Sequence, residues 1–158
     1  MPRESLFCSG VGTLLVMRTL DDEQIRAFLT EGTRTAKLAV VRKDGSPLVT
    51  PVWFLVEDDG TIVFTTGKRT VKGRALERDP RVSICVEDDR PPFAFVRVDG
   101  VAELSEDPAE LQRFATRIAE RYMGAERAAE FGERNGVPGE ILVRVRTTHT
   151  VGQAELAG

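Results

Sequence analysis

The sequence predicts an α+β protein: a small barrel of six antiparallel strands with flanking helices. Three observations carry this. Two tight-turn signals, Asp44-Gly45 and Asp58-Asp59-Gly60, separate three runs rich in β-formers at 35–43, 48–57 and 61–66. The middle run is apolar on both alternating sets: Leu48, Val52, Phe54 and Val56 on one, Val49, Pro51, Trp53 and Leu55 on the other. Both faces of that strand need cover, as in a barrel whose outside meets a helix or a second subunit. From residue 107 the apolar period lengthens to that of a helix, with Leu111, Phe114, Ile118 and Tyr122 on a single stripe.

The elements follow in order. Residues 1–16 carry no periodic pattern, so we expect a disordered or loosely docked extension, with Met17 as a second natural start and 17–158 as one domain. Asp21-Asp22 caps a helix over 22–31, in which Ile25, Phe28 and Leu29 share a face and which Gly32 ends. In the second strand Pro51 removes a ladder donor, which marks an edge or a bulge where a ligand or partner approaches. The run 61–66 passes through Gly67 and Lys68-Arg69-Thr70 into a helix over 71–78, stopped by Asp79-Pro80. A fourth strand covers 81–86, and a fifth covers 93–104 with a bulge at Asp99-Gly100. Asp107 caps the best helix, Pro108 fits its first turn, Glu110 completes a capping box and Gly124 ends it. A shorter helix over 125–131, a loop holding Asn135-Gly136 and Pro138-Gly139, and a strand at 141–146 complete the chain.

Composition narrows the function classes. A chain of 158 residues buries a core without disulfides or metal, and its net charge of -3 lacks the basic footprint of a general nucleic-acid binder. No stretch reaches the ~20 apolar residues of a membrane-spanning helix. Cys8 and Cys85 have no ligand spacing, and Cys85 reads as a buried thiol in a strand, which fits a reducing cytoplasm. His149 is the only histidine, so a multi-histidine metal site within one chain is excluded; it reads as structural or exposed. Arg144 and Arg146 read as surface charge.

The chemistry concentrates at the strand-turn-helix of 61–82. Lys68, Arg69, Lys72 and Arg74 fall within seven residues, Thr70 offers a hydroxyl, and Gly67 and Gly73 keep the backbone accessible. The first turn of a helix has unpaired N–H groups and partial positive charge, which suit one small anion. The competing reading is a solvated basic surface, with Arg74 and Arg78 together facing water.

The succession GSPLVTPVWF, TIVFTT, a basic turn with Lys72, LERDPRVSI and VRVDGVAEL resembles the pyridoxamine 5′-phosphate oxidase-like split β-barrel superfamily, over about Asp21 to Arg146. It is most similar to the actinobacterial flavin/deazaflavin oxidoreductases, group B, which use the deazaflavin coenzyme F420. The resemblance implies a homodimer with the cofactor at its interface and the phosphate at Thr70 and Lys72, with Lys68, Arg69 and Arg74 in reach of the phosphate or an acidic tail. It lays the ring along Thr50, Pro51, Val52 and Trp53 and along Thr65 and Thr66, and brings Phe93 toward the cofactor of the other subunit. Ala75 stands where the family commonly has asparagine. The implied reaction passes a hydride from reduced F420 to a conjugated organic acceptor, with backbone N–H groups of Thr50 to Trp53 near the ring and no catalytic side chain named. The alternatives are an FMN-dependent oxidase or flavin reductase of the same fold, and a non-catalytic carrier of F420, FMN or haem.

Overall fold

The structure is a computed structural model and describes residues 17–157. The expectations for residues 1–16 and for Cys8 lie outside them. Strands β1 (Arg18–Thr19), β2 (Ala36–Val41), β3 (Pro47–Val52), β4 (Leu55–Val56), β5 (Ile62–Gly67), β6 (Arg81–Asp88), β7 (Ala94–Ser105) and β8 (Glu140–Ala154) form one antiparallel sheet. Its order is β3-β2-β6-β7-β8-β5-β4, with β1 paired to β8. The helices are α1 (Asp22–Thr30), α2 (Val71–Arg78), α3 (Pro108–Met123) and α4 (Ala128–Asn135), the last preceded by a 3-10 turn at Ala125–Arg127.

The terminal strands of this order, β3 and β4, are consecutive in the chain and separated by Trp53 and Phe54 alone. The sheet must therefore curl until its two edges meet there, which makes it a barrel split at one seam. The expected six strands become eight. The middle run breaks after Val52, where Phe54 turns fully into the core and both of its backbone polar groups bond to side chains of α3. β1 is new, and the last strand runs on to Ala154.

Burial follows the curl. Leu38, Phe54, Phe64, Leu76, Ile84, Val96 and Val143 fill the interior, while Val63 and Leu142, on the outer side of β5 and β8, pack under Leu111 and Phe114 of α3. It is thus β5 that is buried on both faces. The outer set of β3 stays open in the single chain, with Pro47 and Pro51 exposed and Val49 at 60%.

Local expectations fared unevenly. Asp21 and Gln24 close a full capping box on α1, and α2 keeps its expected bounds. Asp107 caps α3, accepting from the Glu110 N–H at 2.8 Å, but Glu110 does not return the bond. Its carboxylate takes Arg144 at 2.8 Å and the Ser105 hydroxyl at 3.1 Å, so Arg144 is a half-buried tie between β8 and α3 and not surface charge. The bulge at Asp99/Gly100 is present, and a Cβ on Gly100 would lie 2.6 Å from the Arg146 carbonyl oxygen. Cys85 is only half-buried, because Val82, Ile84 and Val86 take the inward positions of β6. His149 is exposed. Among the described residues no helix is long and apolar enough to cross a membrane.

Candidate functional site

The turn from β5 into α2 spends most of its charge on itself. The Thr70 hydroxyl accepts from the Gly73 N–H at 3.0 Å and donates to the Gly67 carbonyl at 2.7 Å, so it caps the helix and its one proton is used. Lys68 is held by Glu106 at 2.8 Å and Glu77 at 3.7 Å. Arg74 donates to the Arg69 carbonyl at 2.8 Å, and Arg78 to that of Val41 at 2.7 Å. Arg69 is exposed.

Lys72 differs from these. It is half-buried, and among the described residues its amine makes neither a hydrogen bond nor an ion pair. Desolvation pushes its pKa down, offset in part by the Glu140 carboxylate. Glu140, also half-buried, is pushed up by its own burial and drawn back by Lys72. The two face a cleft of about 420 Å³ lined by Thr35, Pro51, Val52, Trp53, Thr65, Lys72, Asn135 and Glu140. Its size falls within the range of small-molecule sites.

Trp53 is fixed at this cleft by α3 and α4. Its ring stacks on Tyr122 with centroids 5.0 Å apart and planes 1° apart, and tilts against Phe131 at 6.4 Å. The Tyr122 hydroxyl donates to the Arg34 carbonyl at 2.8 Å and accepts from the Phe54 N–H at 3.3 Å. Burial raises its pKa, so it stays a phenol. Arg121 donates to the carbonyls of Leu29, Gly32 and Phe54 at 2.8, 3.0 and 2.8 Å. One tyrosine and one arginine therefore tie the seam of the sheet and the end of α1 to α3.

Of the residues expected at the site, Pro51, Val52, Trp53, Thr65 and Lys72 meet in this cleft. Thr66 is buried, and Thr50 carries a buried hydroxyl oxygen with no partner among the described residues. Arg74 lines a second groove of about 600 Å³ with Arg42, Lys43, Asp44, Val71 and Arg78, so α2 has cations on two sides. Phe93 lies elsewhere, beside Pro91, Pro92 and Arg18 at the β6–β7 turn. Glu140, Asn135, Thr35 and Tyr122 were not expected. Glu140 could have been found only from the pairing of β8 with β5, which sets it opposite Gly67.

These residues fit a flat anionic organic ligand: one unspent cation and a proline-tryptophan wall at the end of an edge strand, whose outward set, Pro47, Val49 and Pro51, keeps a single N–H, that of Val49. Among the described residues no group of three metal-ligating side chains occurs.

Comparison with known proteins places the chain as a whole. The family described as pyridoxamine 5′-phosphate oxidase matches residues 21–152. A conserved hypothetical protein of Mycobacterium tuberculosis is 31% identical, with 86% of each chain covered and a TM-score of 0.75. A structure described as an F420 reductase is 27% identical, covering 78% of this chain and 94% of its own, with a TM-score of 0.62. A FAD-binding protein of Mesorhizobium loti, 24% identical over 87% of this chain and 97% of its own at a TM-score of 0.63, shares the fold. No curated protein matches the chain.

Proposed function

Because the chain belongs to the pyridoxamine 5′-phosphate oxidase family, we propose that it is an F420-dependent oxidoreductase, moving a hydride between reduced F420 and a small conjugated organic acceptor. The observation that carries this is Lys72: a half-buried, unspent cation on a cleft walled by Pro51, Val52, Trp53 and Thr65. An anionic group on the Lys72 amine would leave the planar part of the same ligand against the Pro51 to Trp53 segment. The similarity to an F420 reductase supports a deazaflavin. So does the second groove, where Lys43 makes no hydrogen bond or ion pair among the described residues and stands beside Arg42 and the tethered Arg74 and Arg78, a basic lining that suits an acidic tail FMN lacks.

Bound there, the cofactor would supply the hydride chemistry. The chain's own part is to hold and shield it. Lys72 would hold the phosphate, the Pro51 to Trp53 segment would lie along the ring, and the Trp53–Tyr122 stack fixes that wall in place. A second copy of the chain would cover the open outer set of β3, and we place the rest of the site at that interface. Val49→Glu should then convert a dimer to monomer in sedimentation, whereas a wild-type monomer would remove this part of the reading.

The FMN alternative has its own support, since a single unspent cation matches a single phosphate. Titrating the purified protein with F420 and with FMN, and following fluorescence of Trp53, the only tryptophan, decides between them. Quenching by F420 alone supports the proposal; tight FMN binding without F420 binding replaces it with a flavin protein; quenching by neither overturns both. Hydride transfer to any of a set of quinones or enones then separates an enzyme from a carrier.

A further inference from the structure

The cleft holds a carboxylate as well as a cation, and that carboxylate has no evident structural task. Glu140 opens β8 directly across from Gly67 of β5. Because Gly67 has no side chain, the carboxylate lies over the β5–α2 turn, where a Cβ on Gly67 would come within 3.3 Å of Glu140 Oε1. Among the described residues no donor is bonded to it and no cation lies within ion-pair distance of it. A carboxylate serving stability alone would be paired like Glu110 or turned to water like Glu133.

The charged groups around it are few. From the turn come Lys68, already engaged by Glu106 and Glu77, and Arg69, which is exposed. From α2 comes Lys72. The wall formed by Thr35, Pro51, Val52, Trp53 and Thr65, and the end of α4 at Asn135, bring no charge to the cleft. Along β8 the next charged side chain, Arg144, is bonded to Glu110. Glu140 and Lys72 therefore answer only each other, and the empty pair is neutral.

We propose that Glu140 sets the charge selectivity of this cleft: an anion seats on Lys72 with uptake of one proton by Glu140, whose carboxyl then donates a hydrogen bond to the bound group. This rests on the reading that the cleft takes an anion, but not on which cofactor brings it. A dianion beside an ionised Glu140 would leave a half-buried volume with net negative charge, where repulsion is weakly screened. Protonation removes that charge and turns an acceptor into a donor. Burial already moves this carboxyl in the required direction. The bond made is O–H to the anion's oxygen; the proton comes from solvent and nothing is oxidised or reduced.

Sulfate is the right first probe, because its charge is constant between pH 5 and 8, so any pH dependence belongs to the protein. Its affinity is read from amide shifts in nuclear magnetic resonance spectra of wild type and of Glu140→Gln at constant ionic strength. Wild-type affinity should fall as pH rises, approaching tenfold per unit above the Glu140 titration. Glu140→Gln, a permanent donor of the same shape, should show a flat profile and bind at least roughly tenfold tighter at pH 8. Parallel profiles, or weaker binding by the variant at pH 8, overturn the proposal, as does sulfate failing to bind either protein at pH 5 to 8. Should the variant fold poorly, calorimetry of the wild type in two buffers of different ionisation enthalpy counts the proton directly; zero uptake at pH 6 to 7.5 is equally fatal. Trp53 quenching by F420 and FMN judges the cofactor reading separately.

Discussion

Replacing Arg121 by methionine removes the clamp on the seam where the two edges of the sheet meet. The guanidinium supplies three hydrogen bonds, to the carbonyls of Leu29, Gly32 and Phe54, and lies 4.6 Å from the centroid of the Phe54 ring. Bonds from a charged donor contribute about 1.5 to 3 kcal/mol each. Burial opposes them, since it disfavours the charged form and lowers the Arg121 pKa. Taking about 1 kcal/mol for each bond after that cost, and letting the methionine stem keep part of the packing, the expected loss is about 3 kcal/mol. For a chain of this size that is a fall in Tm of roughly 6 to 12 °C. Urea unfolding followed by circular dichroism reads the free energy, and its m-value should stay unchanged because the same surface is exposed. A loss below about 1 kcal/mol would refute the assignment of Arg121 as the clamp. Arg121→Lys separates charge from geometry: one ammonium cannot reach three carbonyls on two elements, so the lysine variant should recover less than half the loss.

Lys72→Ala should weaken F420 or FMN binding by about 10- to 100-fold in the Trp53 titration while leaving Tm within a degree or two, because among the described residues the amine makes no hydrogen bond or ion pair and its burial opposes what it gains from the Glu140 charge. Gly73→Ala should destabilise by about 1 to 3 kcal/mol in urea, since its Cβ would collide with the Gly67 carbonyl oxygen and come within 2.7 Å of the Lys68 oxygen, prising α2 from the turn that places Lys72. Asp88, bonded to Arg90 and Arg34, has its carboxyl held well below the ordinary carboxylate range. A lowered folded-state pKa gives stability that is present above the unfolded value near ~4 and is lost as pH falls toward the folded value. Tm measured from pH 6 to pH 2 should therefore drop less steeply below pH 4 in Asp88→Asn than in wild type.

Elements whose determinants are local are readable in the sequence. The caps at Asp21 and Asp107, the bounds of α2 between Thr70 and Asp79, and the bulge at Asp99-Gly100 each depend on residues within a turn of one another. The break between β3 and β4 was not readable, although Pro51 marked the strand as an edge. It is decided by Tyr122 and Arg121, which take the backbone groups of Phe54 from 68 and 67 residues away. Glu110 shows the same limit at short range. Its position three residues after Asp107 suits a capping box, yet Arg144 on a distant strand offers a charged donor, and a charge-assisted bond outweighs one from a backbone N–H.

The basic turn teaches the same lesson about function. A run of cations in sequence measures only how much charge is nearby, whereas binding depends on which charge is left over and how dry it is. Lys68 and Arg74 are satisfied by Glu106 and by the Arg69 carbonyl, so removing either should alter the turn before it alters a ligand. Lys72 faces a carboxylate 68 residues downstream that only the β5–β8 register brings to it. What gives the cleft its chemical character is therefore a pair, one member visible in a charge run and the other hidden at the start of a strand. The strand pairing that closes the barrel is also what creates that pair.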